Sequence, residues 1–216
     1  MKGAFRGLVV HPIEGFDRPM APLCPASPDY DVMASEFQRR KVAGVFDAMD
    51  PDRRGHLVAG DFEALAARWT AIRGVAPGSE QAARLREIML GWWTSLSAAA
   101  ADPARVVLAD VLAVVDLLPG MAEAVNATAD AMFEAVDENG DGRVSRAEYR
   151  QMIETWNGRP AGTDEVFGRL DLDGDGHISR AEFRRLWTQF WAGDDPREPG
   201  TWVFGAVEPL SGVDLS

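Results

Sequence analysis

The chain has 216 residues, 46% of them hydrophobic and 26% charged, with a formal net charge of −12. Such a composition can bury a core and is not that of a disordered chain, while the excess of acid disfavours nucleic acid and anionic membranes and favours cations. The apolar runs fall far short of the roughly 20 residues of a membrane span, the opening stretch before His11-Pro12 is too brief for a signal peptide, and Cys24 is the single cysteine, so no internal disulfide forms. A cytoplasmic protein without a membrane or nucleic-acid partner is expected.

Residues 1–34 carry Pro12, Pro19, Pro22, Pro25 and Pro28, which break periodic structure and predict an arm. Ser35 and Gln38 have the spacing of a capping box ahead of Phe37, Val45, Phe46 and Met49. A second helical stripe follows in Phe62, Leu65, Ala66, Trp69 and Ile72. After the turn at "GVAPGSE", Leu85, Ile88, Met89, Trp92, Trp93 and Leu96 predict a third helix, and Val111, Leu112, Val115 and Leu118 a fourth that Pro119-Gly120 stops. The plan then repeats: Val125, Met132, Phe133 and Val136, an acidic loop, then Tyr149, Met152, Ile153 and Trp156, with a turn at Asn157-Gly158. The last pair of stripes is Val166, Phe167 and Leu170, then Phe183, Leu186, Trp187, Phe190 and Trp191, with a second acidic loop between them. The expected fold is all-α: four helix–loop–helix units in two pairs, residues 35–118 and 119–192, flanked by the arm at 1–34 and a tail at 193–216. Trp202, Val203 and Phe204 in that tail are expected to pack on the body.

The two acidic loops align without gaps: "DENGDGRVSRAE" from Asp137 to Glu148 and "DLDGDGHISRAE" from Asp171 to Glu182. Both satisfy D-x-[DN]-x-[DN]-G-x5-E, the pattern of a calcium loop. Calcium takes about 6 to 8 oxygens, and a twelve-residue loop supplies them from positions 1, 3 and 5, the carbonyl at 7, the residue at 9 through water, and a bidentate glutamate at 12. The first loop offers Asp137, Asn139, Asp141, the Arg143 carbonyl, Ser145 and Glu148; the second offers Asp171, Asp173, Asp175, the His177 carbonyl, Ser179 and Glu182. Gly142 and Gly176 fall at position 6, where the turn requires a positive φ, and Val144 and Ile178 at position 8 are placed to join the loops by an antiparallel bridge. The His177 imidazole is expected to be exposed and not a ligand. Neighbouring carboxylates about 4 Å apart repel by roughly 1 kcal/mol per pair in water, so a divalent ion would relieve the crowding.

A phenylalanine four residues ahead of each loop carries the register to Phe46 and to "DPDRRGHLVAGD", Asp50 to Asp61. Asp50, Asp52, Gly55 and Leu57 keep positions 1, 3, 6 and 8, but Arg54 stands at position 5, Val58 at 9, and the shorter Asp61 at 12. This loop is expected to be empty or weak, with magnesium as the alternative occupant. In the second unit, "SLSAAAADPARVVLAD" retains only Asp102 and Asp110 and is expected to bind no metal, packing instead against the first loop.

The two full motifs, the degenerate second unit, the Trp92-Trp93 pair and the ending "DDPREPGTWVFG" resemble the four-EF-hand sarcoplasmic calcium-binding proteins, including the bacterial calerythrin-like group. The resemblance spans about residues 35 to 205 and implies a compact all-helical protein that buffers, transports or senses calcium, with the first hand often active, from which Arg54 and Asp61 depart; a monomer is expected. Three functions compete. A buffer keeps its apolar surface covered, and Trp202 and Phe204 are placed to do so; a sensor opens a groove to a target protein; a photoprotein-like binder encloses a ligand among its tryptophans. No enzymatic motif of the H-E-x-x-H, G-x-S-x-G or G-x-x-x-x-G-K type occurs, so no catalysis is expected.

Overall fold

The computed structural model describes residues 35–205. The arm over residues 1–34, with His11 and Cys24, and the end of the tail at 206–216 lie outside them. Through the described residues run α1 (Glu36–Met49), α2 (Ala59–Ile72), α3 (Glu80–Ala99), α4 (Leu108–Leu117), α5 (Ala122–Val136), α6 (Arg146–Asn157), α7 (Asp164–Leu170) and α8 (Arg180–Trp191). Two-residue strands β1 (Arg143–Val144) and β2 (Ile178–Ser179) lie in the acidic loops, and short 3-10 turns follow α4 at Leu118–Gly120 and close the tail at Pro199–Trp202.

The helix starts follow from local chemistry. Ser35 accepts the Gln38 amide at 3.0 Å and Ser79 the Ala82 amide at 3.2 Å, each satisfying a donor the first turn leaves free. The capping box expected at Ser35 is only half made. The Gln38 side chain donates instead to the carbonyls of Phe190 and Trp191, at 3.3 and 2.8 Å, because its face of α1 lies on the end of α8, where carbonyls lack helical partners. The stripe expected on α2 holds through Phe62, Leu65, Ala66 and Trp69, but Ile72 is 42% exposed: it is the last residue of α2, where the helix leaves the core. Pro119 falls at the start of the 3-10 turn, where its missing N–H costs little.

Each half is joined loop to loop. In the first, Leu57 and Val106 exchange backbone hydrogen bonds of 2.8 and 3.0 Å, so the second unit packs on the first loop as its sequence suggests. In the second, β1 and β2 pair antiparallel with Val144 opposite Ile178. Both position-8 residues are buried, which is why an apolar side chain stands in a charged loop. One apolar core then runs through both halves, from Val42 and Phe62 to Phe133 and Leu186.

Two features tie the ends together. Buried Lys41 on α1 donates to the carbonyls of Phe190 and Gly193, both at 2.8 Å, placing a cation at the negative end of α8. Burial pushes its ammonium down to about 8, against the carboxylates of Asp194 and Glu198, which hold it up. The tail lies across α8, where the 3-10 turn comes so near that a Cβ at Gly200 would meet the Leu186 carbonyl oxygen at 2.3 Å. Phe204 beyond it packs on Phe190, Trp156, Trp187 and Trp191, with ring centroids 4.8 to 5.8 Å away. The Tyr149 hydroxyl of α6 donates to the Trp202 carbonyl at 3.1 Å. Among the described residues no helix is long and apolar enough to cross a membrane.

Candidate metal centres

All three acidic loops are built on one hydrogen-bond frame. The incoming helix ends as the amide of position 1 bonds the carbonyl of the phenylalanine four residues earlier: Asp50 to Phe46, Asp137 to Phe133 and Asp171 to Phe167, at 2.8 to 3.0 Å. The position-1 carboxylate then reaches across the turn to the amide of the position-6 glycine, in Asp50–Gly55, Asp137–Gly142 and Asp171–Gly176, at 2.7, 3.0 and 2.9 Å. Those glycines have φ of 73°, 83° and 87°, which side-chain-bearing residues rarely adopt. The position-12 carboxylate caps the outgoing helix by accepting the position-9 amide at 2.8 Å in each loop, from Val58, Ser145 and Ser179.

The loops differ in what fills the ring. In the loop from Asp171 to Glu182, carboxylate oxygens of Asp171, Asp173 and Asp175 all lie within 4.8 Å of one another. Glu182 spans the loop, accepting the Leu172 amide with Oε1 at 3.0 Å and the Ser179 hydroxyl with Oε2 at 2.7 Å. Glu148 does the same in the loop from Asp137, taking the Glu138 amide at 2.9 Å and the Ser145 hydroxyl at 2.8 Å. Asp141 and Asp175 accept the amides of Arg143 and His177 at 2.9 Å, which fixes the backbone at position 7. The His177 ring is half-exposed, its side chain at 40%. Crowded oxygens on a backbone already folded around them suit a hard divalent cation with many oxygen ligands. Asn139 at position 3 makes its loop one charge poorer than that with Asp173.

In the loop from Asp50 to Asp61, the Arg54 guanidinium takes the ring. Its Nε lies 3.2 Å from Asp50 Oδ1 and its Nη2 bonds Asp61 Oδ1, so one side chain joins positions 1 and 12. Sequence reasoning takes Arg54 as a lost ligand; the folded loop makes it an internal cation. Burial would raise the Asp50 carboxyl, but the Arg54 and Gly55 amides and the Arg54 guanidinium hold it below the usual range. Asp61 is one methylene shorter than Glu148 and Glu182, and its second oxygen is spent on the Val58 amide at 2.8 Å. In the second unit, Asp110 accepts the amides of Val107 and Ala101, at 2.9 and 3.3 Å, and Asp102 that of Ala104 at 2.9 Å. Counting back from Asp110, positions 1, 3 and 5 fall on Ala99, Ala101 and Pro103, which offer no side-chain oxygen.

Sequence reasoning misses the polar groups buried at long range: Gln38 and Lys41, which hold the end of α8, and Arg73, which reaches α5. Their one signal is a polar residue within or just past an apolar stripe. Also missed is a cavity of about 120 Å³ between the two halves, lined by Val45, Met49, Leu57, Trp92, Val115 and Trp191 among others. The indole N–H groups of Trp92 and Trp191 are buried without an acceptor among the described residues.

Comparison with known proteins agrees with this geometry. Residues 128–188, which hold both complete loops, match the model of the EF-hand domain pair. Among solved structures, a Streptomyces coelicolor calcium-binding protein is 24% identical with a TM-score of 0.58, covering 73% of this chain and 99% of its own. The calcium-loaded apo form of coelenterazine-binding protein from Renilla muelleri is 20% identical with a TM-score of 0.63, covering 80% and 99%. Calcium-loaded apo-aequorin from Aequorea victoria is 16% identical with a TM-score of 0.61, covering 76% and 94%. No curated protein matches the chain. The family match supports calcium binding through EF-hands, and the solved structures share the fold.

Proposed function

We propose that the protein is a cytoplasmic calcium buffer that holds two ions, one in each loop of its C-terminal pair. The ligands are Asp137, Asn139, Asp141, the Arg143 carbonyl, Ser145 and Glu148 in hand 3, and Asp171, Asp173, Asp175, the His177 carbonyl, Ser179 and Glu182 in hand 4. Hand 1 holds no ion under this reading, because Arg54 already neutralises Asp50 and Asp61. The observation that favours a buffer over a sensor is the tail: Val203 is buried and Phe204 sits among four aromatic rings, so the surface a sensor would offer to a target is covered by the chain itself. An apolar fluorescent dye tests this. A buffer gives the same weak signal with calcium and with chelator, whereas a large calcium-dependent increase would make the protein a sensor.

A second reading is favoured by the cavity between the halves. Its wall includes Thr128 of α5 and Trp187 and Trp191 of α8, and these helices begin or end at calcium loops, so an apolar small molecule bound there would be linked to calcium. Relatives in fold include a coelenterazine-binding protein, which lends this reading weight. Organic extraction of the purified protein, followed by absorbance beyond the aromatic band, tests it: a stoichiometric chromophore supports a ligand carrier, and a blank extract leaves the buffer.

A further inference from the structure

Arg73 is a buried cation that the calcium reading does not use. It caps the C-terminus of α2, in the half without a complete loop, and is 8% exposed. Its Nη1 donates to the Ala135 carbonyl at 2.7 Å, in the last turn of α5, two residues before the loop of hand 3 begins. Its Nε has no hydrogen-bond partner among the described residues. Burial lowers the guanidinium, and the charges of Glu138, Glu148 and Asp137, at the start and end of that loop, offset part of this. The contact is held in place on its other side, where Gln151 of α6 donates to the Ile72 carbonyl at 3.1 Å. A helix of hand 1 is thus clamped to both helices of hand 3, with a fixed cation between the clamps.

A buried positive charge beside a calcium loop has a definite sign of effect. It stabilises the carboxylates while no ion is bound and repels the ion once bound, and burial weakens the screening that would mute both. We propose that Arg73 sets the affinity of hand 3, holding it below the value its own ligands would give and making the N-terminal half a regulator of a site it does not contain. This rests on the assignment of a calcium ion to hand 3. It gives the first pair a task that its loops do not suggest.

The test is calorimetric calcium titration of the full chain with hand 4 silenced by Glu182→Gln, comparing Arg73 with Arg73→Lys, Arg73→Gln and Arg73→Met. If the charge acts, Arg73→Met and Arg73→Gln tighten hand 3 by about three- to tenfold, and most of the gain persists from roughly 20 to roughly 200 mM salt because the charge is buried. Arg73→Lys stays within about twofold of the parent. A purely structural Arg73 predicts the reverse, with weaker binding in Met and Gln, and that result overturns the proposal. Should Arg73→Met fail to fold, the contrast between Lys and Gln, which both keep a donor for Ala135 and differ in charge, decides alone. Absence of any calcium step with Arg73 intact, in the chain with and without Glu182→Gln, would instead remove the calcium assignment beneath it.

Discussion

The loops of hands 1 and 4 share a frame and differ in what closes it. Both bond the position-1 carboxylate to a glycine amide across the turn, both cap the outgoing helix with the position-12 carboxylate, and both place a buried aliphatic side chain at position 8. Hand 1 then ties positions 1 and 12 through Arg54, while hand 4 leaves three aspartates within 4.8 Å of one another and a glutamate spanning the loop. Under the proposed assignment the two loops solve one electrostatic problem in two ways. Hand 1 carries its cation within the chain, as the Arg54 guanidinium, whereas the carboxylate ring of hand 4 would be balanced by a divalent ion.

The contrast can be broken most strongly in hand 4. Glu182→Gln removes one charge and the bidentate arm, and at calcium a thousandfold over Kd a lost site forfeits about 4 kcal/mol of stability. Thermal melts should show this variant losing most of the calcium-induced shift, with hand 3 also weakened through the Val144–Ile178 bridge. An unchanged shift would mean that hand 4 is not a site.

The cover on the aromatic cluster is the next largest effect. Phe204 is partly buried, so Phe204→Ala should cost about 2 to 3 kcal/mol in urea unfolding, less than a fully buried phenylalanine, and should raise apolar dye binding in the calcium form. A loss below about 1 kcal/mol would show that the tail only rests on the body.

Hand 1 can be converted in the other direction. Arg54→Asp removes the internal cation and restores an oxygen at position 5, so a third, weaker calcium step should appear in calorimetry, and without calcium the first half should melt earlier than in the parent. No third step, with the parent's stability retained, would mean that Arg54 is not what closes the ring.

The smallest effect concerns Lys41. Its ammonium is lowered from 10.5 to about 8 in the fold, so between those values the unfolded chain binds a proton that the folded chain does not, and stability rises with pH across that window. Melting profiles of the parent and Lys41→Met from pH 7 to 10.5 should therefore diverge, the parent gaining relative to the variant above pH 8. Parallel profiles would contradict the shift.

How much of this was legible in the sequence depends on range. The loops of hands 3 and 4, their glycine turns and their position-8 bridge follow from twelve consecutive residues each, because an EF-hand gathers its ligands locally. The four helical units follow from apolar spacing, and the place of the second unit follows from the register of the first. What could not be read are contacts made by folding: Gln38 turning from its own helix start to the end of α8, Arg73 reaching Ala135, and the cavity walled by both halves. Arg54 lies between the two cases. Its position was plain, but its sign as a stabiliser appears only once Asp50 and Asp61 close around it.

The central claim, that two carboxylate rings and not three await a divalent ion, is tested most directly by calorimetric titration of the full chain with calcium. Two sites are predicted, both retained in Asp52→Asn, with one lost and the other weakened in Asp171→Ala. Three sites in the parent, or two that persist at full strength in Asp171→Ala, would contradict it.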